Sequence, residues 1–207
     1  MVEATRDRII VATNELFRRQ GYNGTSLSQI SGASRATIGS IYHFFPGGKE
    51  ALAAEVVRTT GAVYRDLFVA ISGEAANPVQ AFADFFAGAA VVLEDSGYID
   101  PCPIGGIARE VANTSETLRV AAADAFQLWI DAAHGYLRSA GVLDATAREL
   151  AALFVATVEG TFVVSRTQRS PDALLAAGKH IGELARQAIV TGTRDTRKHR
   201  EHSAHHR

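Results

Sequence analysis

From Ile9 to Val190 the apolar residues recur three and four positions apart, and nowhere do apolar and polar residues alternate for long. That spacing puts apolar side chains on one face of a helix, whereas a half-buried strand needs strict alternation. A chain with this one period can bury its apolar surface only by packing helix on helix, so the expected fold class is all-α.

The breaks divide the pattern. Ile9, Ala12, Leu16 and Phe17 share one face of a first helix, which the stretch RRQGY ends at Gly21. GTSLSQIS opens a second helix, with Thr25 or Ser26 as side-chain N-cap, Leu27 and Ile30 on its buried face and an end near Ala33. The turn Ser34-Arg35-Ala36 leads into the segment RATIGSIYHFF, and FPGGKEAL breaks the chain again. Further helices are expected over Glu50–Ile71, interrupted at Gly61, from Pro78 to about Glu94, and through Ile107–Ala112. Three long helices follow: from Ser115-Glu116 to about Leu137, from Asp144 to about Arg169, and from Asp172 to Val190. Beyond Thr191 the chain is polar and rich in histidine, and disorder is expected there.

With 207 residues, 47% of them hydrophobic and 21% charged, the chain is long enough to bury a sizeable core. No uninterrupted apolar run approaches the roughly 20 residues of a membrane span, and MVEATRDRII carries no apolar secretory segment. A single cysteine, Cys102, excludes an intrachain disulfide and suits a reducing compartment. The expected location is therefore the cytoplasm, with no membrane partner. The overall charge of −1 conceals an uneven distribution: residues 1–49 carry a net +3, the tail from Arg194 another +3, and the stretch between them −7. Basic ends around an acidic body place any polyanion at the ends.

The segment after the turn is the most informative. Two short helices joined by Ser34-Arg35-Ala36 match a helix-turn-helix, whose second helix enters the DNA major groove while the first crosses the backbone. A helix that sits deep needs small residues in front, and Ala36, Thr37, Gly39 and Ser40 provide them. Of Ile38 and Ile41, one reaches toward a thymine methyl and the other packs inward. Hydroxyls at Thr25, Ser26, Thr37 and Ser40, the ring groups of Tyr42 and His43, and the cations Arg35 and Lys49 are candidate phosphate contacts. Phe44 and Phe45 are expected to contribute to the core.

These residues resemble the TetR family of transcriptional repressors. The matching pattern is Arg8-x-x-Val11, Leu16-Phe17, Gly21-Tyr22-x-x-Thr25-Ser26-Leu27-x-x-Ile30, then Gly39-Ser40-Ile41-Tyr42-His43-x-Phe45, Pro46 and Lys49-Glu50-x-Leu52. FPGGKE, CPIGG, SETLR and the stretches Glu159-Gly160 and Thr167–Ser170 are similar to the drug- and flavonoid-responsive LmrA/YxaF branch. Two positions depart from the family pattern: Arg35 stands where a tight-turn glycine is usual, and Ile38 where a polar or basic residue is. A side chain in a left-handed turn costs roughly 1 kcal/mol, so either the turn is reshaped or Arg35 tolerates it and reaches a phosphate.

The resemblance implies a helix-turn-helix DNA-binding domain over 1–49, a helical ligand-binding and dimerisation domain over 50–193, and a basic tail over 194–207. It implies a ligand-responsive repressor that pairs as a homodimer on a palindromic double-stranded DNA operator and is released by a small aromatic or hydrophobic effector. Residues whose chemistry suits such an effector pocket are Phe82, Phe85, Phe86, Tyr98, Cys102, Ile104, Arg109, Phe126, Trp129, His134 and Glu159. For the dimer, apolar stripes at Leu150, Phe154, Val158 and Phe162, and at Leu174, Ile181, Leu184 and Ala188, would pair two helices from each copy. Small residues such as Gly178 and Ala185 would let those helices approach closely.

Other chemistries find little support. No Ser/His/Asp or Cys/His set with suggestive spacing occurs, and PIGG and PGGK lack the spacing of a phosphate loop. No enzyme activity, cofactor or metal site is expected. The tail histidines His199, His202, His205 and His206 read as a solvated extension. The alternatives are an all-helical enzyme using the same pocket, which would need a catalytic pair, and a sequence-independent DNA-binding protein, which would show only a steep salt dependence.

Overall fold

The computed structural model describes residues 2–99 and 102–204; the side chains of residues 2, 3 and 193–204 lie outside the description. Its described residues form helices α1 Val2–Gln20, α2 Leu27–Ser34, α3 Ile38–Phe44, α4 Gly48–Glu74, α5 Pro78–Asp95, α6 Pro103–Val111, α7 Glu116–Ser139, α8 Asp144–Gln168 and α9 Asp172–Ala204, with no strand among them. The chain divides into two compact units, each built from two stretches. One unit combines residues up to Tyr64 with Asp95–Leu128; the other combines Arg65–Glu94 with the chain from Trp129 onward.

Local chemistry accounts for most helix ends. Gly21 stops α1 at φ 78° and Gly141 follows α7 at φ 93°, conformations that a side chain disfavours. Pro78 opens α5 and Pro103 opens α6 at positions where the missing N–H is harmless. Ser115 caps α7 by accepting the Leu118 N–H at 3.1 Å.

Two expectations are revised. Gly61 does not interrupt α4, which runs unbroken from Gly48 to Glu74; a Cβ at Gly61 would lie 2.9 Å from the Cβ of Ala125, so the glycine is where α7 approaches. The last helix continues past Val190 to Ala204, because no proline interrupts residues 191–204 and Arg, Lys and Glu are good helix formers. His205 and His206, part of the expected tail, lie outside the described residues. By length and composition α8 is long and apolar enough to cross a membrane, although charged residues interrupt its apolar run. It carries Glu159 and Arg166 within its apolar stretch and buries Ala147, Ala151, Phe154, Val155 and Val158 against the protein.

The first unit is built around Ile9, Phe17, Ile30, Ile41, Phe45, Leu52, Val56, Ile104, Ile107 and Leu118, all buried. Arg6 ties α1 to α4 through Glu55 at 2.5 Å and lies over the Phe45 ring, 5.6 Å from its centroid. That hydrogen bond, reinforced by the charges of Arg6 and Arg58, holds the Glu55 carboxyl below its ordinary range against the opposing effect of burial. In the second unit Phe68, Phe82, Phe85, Phe86, Tyr136 and Phe154 form one cluster, with neighbouring ring centroids 5.1–6.4 Å apart. Burial raises the Tyr136 phenol above its usual range.

Candidate nucleic-acid interface

The helix-turn-helix is held by its own short side chains. Ser26 stands in extended geometry and accepts the Gln29 N–H at 3.2 Å, while Gln29 Oε1 accepts the Ser26 N–H at 2.8 Å. This reciprocal capping box fixes the start of α2. At its end Arg35 takes a left-handed conformation, φ 53° and ψ 33°, and the N–H of Ala36 reaches back to Ser31 O at 3.3 Å. The Ser31 hydroxyl donates to Ala36 O at 2.6 Å, closing the turn from the other side. Arg35 therefore tolerates the glycine-type conformation, and the turn is not reshaped. Thr37 then caps α3, its Oγ1 accepting the Ser40 N–H at 3.0 Å and lying 2.9 Å from the Ser40 hydroxyl.

On α3 the two isoleucines part as expected: Ile41 is fully buried, and Ile38 is 45% exposed. Around Ile38 lie Thr37, Gly39, Tyr42 and His43, all exposed, with Ser40 half-buried. A Cβ built on Gly39 would meet only the Thr37 hydroxyl at 3.7 Å, so the front of this helix is open. Behind it, Gly48 at φ 64° lies against Tyr42, and a Cβ there would come 3.2 Å from the ring. Phe45 is buried and Phe44 half-buried, which answers why the segment ends in rings: the last two serve the core, and Tyr42 and His43 edge the open face.

Three residues expected at this face serve the fold instead. Thr25 is 1% exposed, and its hydroxyl donates to Gly21 O at 2.7 Å and accepts from Gln20 Nε2 at 3.2 Å. Ala36 is buried under the turn. Lys49 donates to the carbonyls of Tyr22 at 3.0 Å and Thr25 at 2.8 Å, with its ammonium 4.2 Å from the centroid of the Tyr22 ring. Burial lowers the Lys49 ammonium below its ordinary range, and the nearby Glu110 charge partly restores it. Ser26 and Arg35 remain exposed.

The eleven residues expected at an effector pocket divide between the two units. Phe82 and Phe86 are buried within the ring cluster, where each packs against Phe154. Phe85, Trp129, His134 and Glu159 are half-buried in the same unit, and His134 Nε2 lies 3.0 Å from Asp144. In the first unit Cys102 and Ile104 are buried, Tyr98 and Phe126 are half-buried, and Arg109 is exposed.

The residues expected to pair two copies are mostly interior. Phe154, Val158, Leu174, Gly178, Ile181 and Ala185 are buried within the chain itself, and Leu150 and Phe162 are half-buried. Gly178 and Gly182 do permit close approach, but to α5. A Cβ on Gly178 would lie 2.9 Å from the Cβ of Phe86, and one on Gly182 2.9 Å from the carbonyl oxygen of Val79. The large apolar side chains left open on these helices, among the described residues, are Leu153, Val163, Val164, Leu175, Leu184 and Val190, each 40–47% exposed.

Glu110 and Gln29 were missed at the sequence level. Gln29 was legible, because Ser-x-x-Gln at a helix start is the capping-box pattern. Glu110 accepts the N–H groups of Tyr22 at 3.1 Å and Asn23 at 2.7 Å, and no local signal announces a partner 87 residues away.

Comparison with known proteins bears on the same residues. Residues 9–56 match the N-terminal model of the bacterial regulatory proteins of the tetR family, and residues 78–180 match the C-terminal domain of LmrA/YxaF-like transcriptional regulators. The uncharacterised HTH-type transcriptional regulator YxaF of Bacillus subtilis strain 168 is 34% identical over 88% of this chain and 96% of its own length. The HTH-type transcriptional regulator LmrA of the same strain is 31% identical over 88% of this chain and 97% of its own. Among solved structures, a TetR regulatory protein from Rhodobacter sphaeroides shares the fold with a TM-score of 0.76 at 21% identity, covering 86% of this chain and 97% of that one. The FadR regulator of Bacillus subtilis, solved in complex with stearoyl-CoA, aligns with a TM-score of 0.65 at 16% identity over 86% of this chain and 96% of that one. With both family models matched in order along one chain, the protein belongs to the TetR family of transcriptional regulators, in its LmrA/YxaF-like branch.

Proposed function

We propose that this regulator is a homodimeric repressor that binds a palindromic operator and is released by a small hydrophobic or aromatic effector. The observation that carries the reading is the open face of α3. Thr37, Ile38, Gly39, Tyr42 and His43 face away from the protein while Ile41 anchors the helix beneath them. An exposed isoleucine beside a glycine lets the helix approach base edges, with Ile38 suited to a thymine methyl. Ser26, Arg35, Thr37, Ser40, Tyr42 and His43 supply donors for phosphate oxygens. In this reading residues 1–49 read DNA, residues 50–193 sense the effector and pair the copies, and the protein works in the cytoplasm, where its operator lies.

Pairing runs through the open side chains of α8 and α9, Leu153, Val163, Val164, Leu175, Leu184 and Val190, of which Leu184 belongs to the expected stripes. A twofold axis there would set two copies of α3 on successive major grooves, about 34–36 Å apart or a multiple of it. Within the second unit the half-buried Phe85, Trp129, His134 and Glu159 are the proposed effector contacts. An effector that prefers the unbound protein by 1–3 kcal/mol lowers operator affinity about 5–150-fold. Electrophoretic retardation of DNA from upstream of its own gene tests the reading. A retarded band that random duplex fails to compete away supports it; competition by any DNA sequence alike defeats it. Aromatic compounds added to the retarded complex then identify the effector by its release.

A further inference from the structure

The turn between α1 and α2 is gripped from both sides. Glu110, on α6, accepts the Tyr22 N–H at 3.1 Å through one carboxylate oxygen and the Asn23 N–H at 2.7 Å through the other. Lys49, at the start of α4, takes the carbonyls of Tyr22 and Thr25 on the opposite side. The carboxylate thus takes N–H groups of this short segment and the ammonium takes its carbonyls. Gly21 makes room: at φ 78° any Cβ there would lie 2.3 Å from Glu110 Oε1. A second tie comes from the same side of the fold, where the Ser115 hydroxyl, just beyond α6, bonds Glu50 in the first turn of α4. Ser26, the residue that caps α2, directly follows this turn.

We propose that Glu110 is the positioning residue through which α6 sets the placement of the DNA-reading helices. Charge-assisted bonds to two successive amides are stronger than neutral ones, and they are directional. A displacement of α6 therefore carries the Tyr22–Thr25 turn with it and shifts the start of α2. By reciprocity, holding α2 and α3 on DNA restrains α6, even though Glu110 reads no base. This rests on the operator-binding reading above.

Hydrogen exchange of the full-length protein, free and bound to an operator selected from random duplex, tests it. In wild type, operator binding should slow exchange of the α6 amides near Glu110 by at least about 5-fold, the lower end of ordinary coupling. Glu110→Gln, an isostere without the charge, should still bind DNA through an intact α3 while losing that slowing. Glu110→Asp, which keeps the charge but withdraws it by one methylene, should behave likewise and serves if the glutamine variant does not fold. Equal slowing of α6 in wild type and in either folded variant overturns the proposal, as does no slowing in wild type. Failure of the wild-type protein to select any operator is a different outcome, which would bring down the operator reading itself. Loss of stability alone would not abolish the transfer of protection from α3 to α6 in molecules that remain folded and bound.

Discussion

Replacing Arg35 by glycine should move stability and DNA binding in opposite directions. Arg35 holds φ 53° and ψ 33°, where an L side chain costs about 1–2 kcal/mol and glycine nothing. Glycine also frees the unfolded chain, which offsets about 0.5–1 kcal/mol of the gain. The net is a stabilisation of about 0.5–1 kcal/mol, or a rise of about 1–4 °C in Tm for a chain of this size. On DNA the exposed guanidinium is the one cation in the turn between α2 and α3. If each copy neutralises one phosphate with it, the variant dimer releases about two fewer counterions, and the slope of log K against log salt becomes shallower by about 1.8. Titrations by fluorescence anisotropy between low and moderate salt, beside thermal melts, read both quantities. Arg35→Lys is the control: it retains the charge and the strained conformation, so its salt slope should match the parent. An unchanged slope in Arg35→Gly would refute the phosphate contact, and a lowered Tm would refute the strain.

Three further perturbations follow from the packing. Glu55 is held below its ordinary value near 4.5 by Arg6, so it stabilises the fold above that pH and the contribution is lost as pH falls through its folded value. Urea melts between pH 3 and 7 should therefore show a shallower acid loss for Glu55→Gln, along with lower stability near neutrality; parallel curves would exclude the pair as a source of acid sensitivity. Gly182→Ala places a Cβ 2.9 Å from the Val79 carbonyl oxygen, and overpacking of about 1–3 kcal/mol exceeds the gain of about 1 kcal/mol in helix propensity. It should lower Tm, whereas Gly88→Ala, with no atom within 4 Å, should raise it. Leu153→Glu combined with Val164→Glu should give a folded single subunit by sedimentation that no longer binds the operator; a persisting dimer would place the pairing surface elsewhere.

The helix boundaries were largely legible because they rest on local chemistry: Gly21, Pro78, Ser115 and Gly141 act where they stand. The open face of α3 was legible for the same reason, since seven residues and their caps decide it. Errors arose where a residue type allows two environments. Thr25 and Ser26 are both hydroxyl residues before a helix, but the first is buried and bonded to Gly21 and Gln20 while the second is exposed. Lys49 reads as a solvated cation until the Tyr22 ring and two carbonyls are brought to it. The most apolar stripes of α8 and α9 suggested a subunit interface, but the strongest stripe of a helix goes first to its own core. The half-open stripe bearing Leu153 and Val164 is the one the proposed pairing uses. Burial separates the two stripes; composition does not.

The seam between α5 and α9 is a close-fitting joint. At Gly178 and Gly182 the α9 backbone meets α5 with no side chain of its own between, as in a dovetail joint. If an effector shifts α5 and α9 pairs two copies, as proposed, this joint would turn the shape of one small molecule into a change of stance between the subunits.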